Sequence, residues 1–144
     1  MKKTLDTTIE VCYYSYSDDE ERELVMKKFV VEQIILTDEQ VDEINAGKGI
    51  PEFAERYYRT ISFPKQAAIQ AAYEAGDYMP VAEIQVDELS QVFTVGNMIG
   101  REEVKHRITM LADKMKSVSV GDIVIDTATG TKYYVDSFGY KEVY

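Results

Sequence analysis

Lys27-Lys-Phe-Val-Val-Glu-Gln-Ile-Ile-Leu36 is the stretch on which the fold turns. A strand sends alternate side chains to opposite faces, and here both rows are apolar for part of their length. Such a strand needs cover on both sides, so it suits a central position in a sheet. Upstream, residues 7–16 (TTIEVCYYSY) alternate well enough for another strand, with Ile9, Val11 and Tyr13 on one face. Their β-branched and aromatic content supports this reading. Asp18-Asp19-Glu20-Glu21-Arg22-Glu23 lies between the two as a solvated loop or a frayed helical turn. The simplest topology is a β-hairpin with a long acidic connection.

Downstream, Thr37-Asp38-Glu39-Gln40 forms a capping box: the Thr hydroxyl accepts from the third amide of a helix, and the Gln reaches back. Val41 and Ile44 give that helix a short apolar stripe, and Gly47 gives it a left-handed stop. A second helix is predicted over 50–60, with Pro51 in its first turn. Its stripe is Ile50, Phe53, Ala54, Tyr57, Tyr58 and Ile61. Pro64 breaks the chain. Residues 65–75 (KQAAIQAAYEA) then make a third helix ending before Gly76, and its alanines imply close packing.

Val81, Ile84 and Val86 mark a strand, and Asp87 is the expected N-cap of a short helix over 88–95 that ends at Gly96-Asn97. Residues 101–115 read as an amphipathic helix with Val104, Ile108, Leu111 and Met115 in line. Glu103 and Arg107 add an ion pair across one turn of it. Strands follow at 122–127, 131–137 and 140–143, with Thr129-Gly130 turning between the first two. No linker, repeat or low-complexity tract interrupts the chain. The expectation is one α+β domain over residues 1–144: an N-terminal hairpin, central helices and a small C-terminal antiparallel sheet.

Length and composition narrow the function. At 144 residues and 45% hydrophobic, the chain can bury a core of its own. One cysteine, Cys12, allows no internal disulfide and no cysteine-rich zinc site. Residues 1–25 hold no apolar run of signal-peptide length, and no stretch approaches a membrane span, so the expected address is the cytoplasm. A net charge of −10 argues against direct binding to nucleic acid or to an anionic membrane. A globule of this size is roughly 35–40 Å across. Duplex DNA of that length carries about 20 phosphates. The 26 acidic residues are offset by 16 basic ones, so the chain can imitate DNA locally but not along its full width.

The search for reactive groups is mostly negative. His106 is the only histidine, which excludes a histidine-rich metal centre. A Cys12–His106 pair needs the fold to join a buried strand to a polar helix face. No Walker loop or dinucleotide fingerprint is present, so no cofactor is expected. Asp122, Asp126 and Asp136 cluster in the C-terminal strands and can be read as oxygen ligands for a divalent cation. The competing reading has Asp122 capping a turn while the other two face water or pair with Lys132 and Lys141.

Eleven tyrosines stand out, in clusters at Tyr13, Tyr14 and Tyr16, at Tyr57 and Tyr58, and at Tyr133, Tyr134, Tyr140 and Tyr144. Adjacent tyrosines on a strand point to opposite faces, so one of each pair is expected in the core and one outside. Exposed tyrosine gives an interface large contact area at little entropic cost. With the acidic loop beside them, the expected partner-binding residues are Asp18, Asp19, Glu20, Glu21, Tyr14 and Tyr16. The acids would steer a basic partner and the tyrosines would hold it.

Ser117-Val-Ser-Val-Gly-Asp-Ile-Val124, continued by Tyr133-Tyr-Val-Asp-Ser-Phe-Gly-Tyr-Lys-Glu-Val143, resembles the end of YodL-like domains and related small proteins of phages and mobile elements. The segment 81–97 is similar to the acidic, Phe-containing stretch that leads such modules. The likeness covers residues 80–143, with a small sheet as its implied fold. Gly121 allows a tight turn, Ile123 and Ile125 bury one face, and Phe138-Gly139-Tyr140 turns the last strand back over the core. The chain departs from the pattern at 101–115, where relatives often have an irregular, Trp-containing segment. The resemblance implies a phage or mobile-element origin and no catalytic residues.

Together these readings imply a non-enzymatic accessory protein that binds a host protein with a basic surface, such as a nucleic-acid-handling or defence enzyme. The alternatives are a metal-dependent hydrolase using the C-terminal aspartates and a self-associating structural protein.

Overall fold

A computed structural model describes residues 26–62 and 64–143. The strand expected at 7–16, the acidic connection at 18–23 and hence the N-terminal hairpin lie outside the described residues.

Strand β1 (Lys27–Ile34) is central, as its two apolar rows require. One edge pairs along its whole length with β2 (Tyr78–Val86), and the other pairs over Phe29–Glu32 with β4 (Ile123–Asp126). Strand β3 (Ile108–Met110) adds to β2, β5 (Lys132–Asp136) to β4, and β6 (Gly139–Glu142) to β5. The result is one six-stranded, wholly antiparallel sheet in the order β3-β2-β1-β4-β5-β6. The C-terminal strands thus continue the sheet that β1 centres.

Register explains which face each side chain takes. Phe29, Val31, Ile84, Val124 and Val135 share one face and are buried with Val92, Val95, Val104 and Val118. Ile123 and Tyr134 share the other face and are buried beneath Ile69, with Ile125 packed beside them. The β1–β2 register slips between Val31 and Glu32, so Val81 is an extra residue on β2. That bulge lets both Val81 and Ala82 enter the core.

The helices follow their local signals closely. Helix α1 (Asp38–Asn45) begins at Thr37 with both halves of the capping box formed, and Gly47 has φ 71°. Helix α2 (Glu52–Ser62) packs on α3 (Gln66–Glu74), which covers the second sheet face through Ile69 and Ala72. The α2 stripe is only partly covered: Ala54 is buried, while Ile50, Tyr58 and Ile61 are exposed. Helix α4 (Ser90–Gly96) covers the first face with Val92 and Val95. Its N-cap is Leu89, not Asp87. The Gln91 side chain accepts from the Asp87 and Glu88 amides instead, which leaves the Asp87 side chain no capping role.

The helix expected over 101–115 does not form. Residues Glu102–Arg107 make a 3-10 helix, Ile108–Met110 become β3, and 111–120 carry no helix or strand. Pairing with β3 satisfies the outer backbone groups of Ala82–Ile84, which a helix could not do. Ion pairing changes accordingly: Glu103 lies 3.9 Å from Arg101, and Arg107 donates to the Gln85 carbonyl at 3.4 Å.

Candidate protein-interaction surface

Asp18, Asp19, Glu20, Glu21, Tyr14 and Tyr16, together with Cys12, lie outside the described residues. Tyr13 and Tyr144 lie outside them too, and the structure places the acidic residues and tyrosines of 26–62 and 64–143. Helix α1 carries Asp38, Glu39, Asp42 and Glu43 in two turns, has no base in its last turn and buries none of its residues. Its capping box holds it as a helix although it has almost no core to pack on. It therefore presents its carboxylates to solvent, with only Gln40 and Ile44 half-buried.

Beside its N-terminus lies an open apolar cavity of about 580 Å³. Ile34, Ile35 and Leu36 run into it directly before the Thr37 cap, and Tyr57 enters from α2. Ile99, Met110 and Met115 add to its apolar lining, and Asp113, Lys114 and Lys116 line it with polar groups. The Lys116 ammonium lies over the Tyr57 ring, 5.3 Å from its centroid. Unbranched methionines let such a floor adapt to the shape of what enters. A second groove of about 620 Å³ lies between α2 and α3. Its cations are largely spent: Arg56 makes a bidentate pair with Asp77, and Arg59 lies 3.3 Å from Glu55.

The far wall of the first cavity hangs on a buried polar pair. Gln33 is fully buried and Asp122 nearly so. Gln33 Oε1 accepts from the Lys116 amide at 2.9 Å, and Nε2 donates to the Lys116 carbonyl and to Asp122 Oδ2, each at 2.9 Å. The Ser119 amide also donates to Asp122 Oδ2 at 2.9 Å. Burial raises the Asp122 carboxyl to about 6, against the lowering pull of those bonds and of Lys116. The Tyr78 hydroxyl donates to the Gly121 carbonyl, and burial first, then the Asp122 charge, pushes it above its ordinary value.

The three C-terminal aspartates do not converge. Asp122 holds its turn, as one reading of the sequence has it. Asp126 is buried, accepts from the Ala128 amide and lies 3.7 Å from Lys27, so it neither faces water nor forms the expected kind of pair with Lys132 or Lys141. Asp136 accepts from the Phe138 amide and lies 3.4 Å from Lys141, and the Phe138 bond is the largest of the effects that lower its carboxyl. Among the described residues, no three His, Cys, Asp or Glu side chains are grouped to hold a metal ion. His106 is exposed on the 3-10 helix.

Tyrosines divide by position. Tyr134 is buried and Tyr133 half-buried on β5; Tyr58 and Tyr73 are exposed on the helices. The Tyr140 hydroxyl accepts from the Phe93 amide and ties β6 to α4, while Phe138 is 99% exposed at the hairpin tip. The chain thus turns back at Gly139 and Tyr140 packs on the core, while the Phe138 side chain stays outside it.

The cavity was not visible as a motif, because it is assembled from β1, α2, Ile99 and residues 110–116. One local signal was available. Lys116-Ser-Val-Ser-Val120 alternates and is poor in helix formers, so the preceding amphipathic stripe need not continue as a helix. Comparison with protein-family models, with curated proteins and with solved structures finds no match to this chain. No helix among the described residues is long and apolar enough to cross a membrane.

Proposed function

We propose that this chain is a non-enzymatic accessory protein of a phage or mobile element that acts by binding a host protein with a basic surface. The observation that carries the reading is the open apolar cavity set directly beside the unburied, acidic helix α1. An apolar floor supplies contact area and a neighbouring field of carboxylates supplies steering, which is the division of labour in a specific interface. A nucleic-acid-handling or defence enzyme is the target class, because such proteins carry basic grooves that an acidic surface attracts. The phage or mobile-element origin rests on the YodL-like resemblance of residues 80–143 alone.

The test is affinity capture from host lysate at low and high salt, with three forms of the chain. Wild type should retain one basic protein at low salt and lose it at high salt. A variant with Asp38→Asn, Glu39→Gln, Asp42→Asn and Glu43→Gln, and another with Asp18, Asp19, Glu20 and Glu21 all changed to Ser, should each retain less of it. Capture that ignores both salt and these substitutions contradicts the steering role.

A further inference from the structure

The segment 111–121 walls the cavity without helix or strand of its own; backbone bonds from the Leu111, Val118 and Gly121 amides to the Val81, Gly96 and Val135 carbonyls tie it at three points, and side-chain anchors hold what lies between. Val118 is one: it fills the space over Gly96, where an added Cβ would stand 2.3 Å from Val118 Cγ2. Ala112 and Met115 also pack on the core, and a further anchor is polar and buried. Gln33 grips the Lys116 amide and carbonyl, and Asp122 Oδ2 receives both Gln33 and the Ser119 amide. Lys116 itself lines the cavity, so this anchor sets the cavity's far wall.

We propose that the Gln33–Asp122 pair is a proton-sensitive clasp: with Asp122 protonated the segment is held closed against the cavity, and with Asp122 ionised it loosens. The geometry makes the two states differ. A carboxylate at this depth has given up its water for two donors on one oxygen, and local opening returns it to solvent. A proton on Oδ1 removes the buried charge and leaves both donors in place on Oδ2.

The groups facing Asp122 do not cancel the effect. Lys116, on the segment, favours the ionised form, yet its attraction is the smallest of the contributions and its ammonium sits over Tyr57. Tyr78, from β2, keeps its proton because burial raises it, and Asp77 and Glu32 act on that hydroxyl in the same direction. Gln33 and Ser119 do not titrate. The Asp122 carboxyl, near 3.8 when free in solvent, is raised to about 6 in the closed state. Each pH unit in that window makes opening about tenfold easier, to a total of roughly a hundredfold. The clasp does not depend on what occupies the cavity, but it would make a partner's access to it rise with pH.

Hydrogen–deuterium exchange of the full chain, corrected for the intrinsic pH dependence of amide exchange, tests this. Protection of the Lys116 and Ser119 amides should fall by about a hundredfold between pH 4 and pH 7, while the Val31 amide, inside β1, stays protected. Asp122→Asn should give a flat profile. A wild-type profile that is flat, or an Asp122→Asn profile that keeps the slope, overturns the proposal. Should the variant misfold, carbon-13 titration of the wild-type Asp122 carboxyl decides: a midpoint near 6 supports the clasp, and one near 4 overturns it.

Discussion

A Cβ on Gly121 would stand 2.7 Å from the Thr60 carbonyl oxygen, in a backbone at φ 94°. Both conditions exclude a side chain, and the contact is with rigid backbone. Gly121→Ala should therefore cost roughly 3 kcal/mol in urea unfolding, through left-handed strain added to a clash. One position on, Asp122 binds its proton more tightly in the folded chain than in the unfolded one. Its contribution to global stability is thus fully present below its ordinary 3.8 and is lost as pH rises through about 6. The loss is roughly 3 kcal/mol at most, and unfolding of Asp122→Asn measured from pH 4 to pH 7 should lack that slope. Asp136 has the opposite sign: its lowered carboxyl contributes stability above the ordinary carboxylate range, lost only as pH falls through the lowered value. The residue signals that were legible in sequence are those with local causes, such as Gly121 and the capping pair Thr37 and Gln40. Gln33 was not, since its partners Lys116 and Asp122 are 83 and 89 residues away.

Among the elements, α1 separates local order from global stability. Removing its cap with Thr37→Ala should cost the helix about 1 kcal/mol. Because α1 buries none of its residues, the unfolding midpoint of the whole chain should not move. Exchange at the Gln40 and Val41 amides should instead accelerate about fivefold. A shifted midpoint would mean that α1 is part of the cooperative core. Elements with a strong pattern read correctly: β1 from its two apolar rows, α1 from its box, and α3 from helix propensity. Residues 101–115 read incorrectly because an apolar line at helical spacing also exists in Val104 and Ile108 when they are split between a 3-10 turn and a strand. The free edge of β2 decided that contest, and no single segment displays it. The cavity has no motif in the sequence for the same reason: Met110, Asp113, Lys114 and Met115 of its lining belong to the stretch whose spacing predicts a helix.

For the molecule as a whole, a net charge of −10 sets a long-range field, and the sheet with its helices is the scaffold that carries it. In the function proposed above, that field would bring a basic partner near and the cavity beside α1 would supply the lasting contact. The side chain of Phe138, a residue 99% exposed at the β5–β6 tip, is not packed into that scaffold, and Phe138→Ser keeps the amide that binds Asp136, so the urea midpoint should be unchanged. The most direct measurement of the central claim is an exchange footprint of the chain with and without its captured partner. Protection should appear over residues 34–43, at Tyr57, and over 110–116. Protection confined elsewhere, with those stretches unaltered, would contradict the placement of the interface at the cavity and α1.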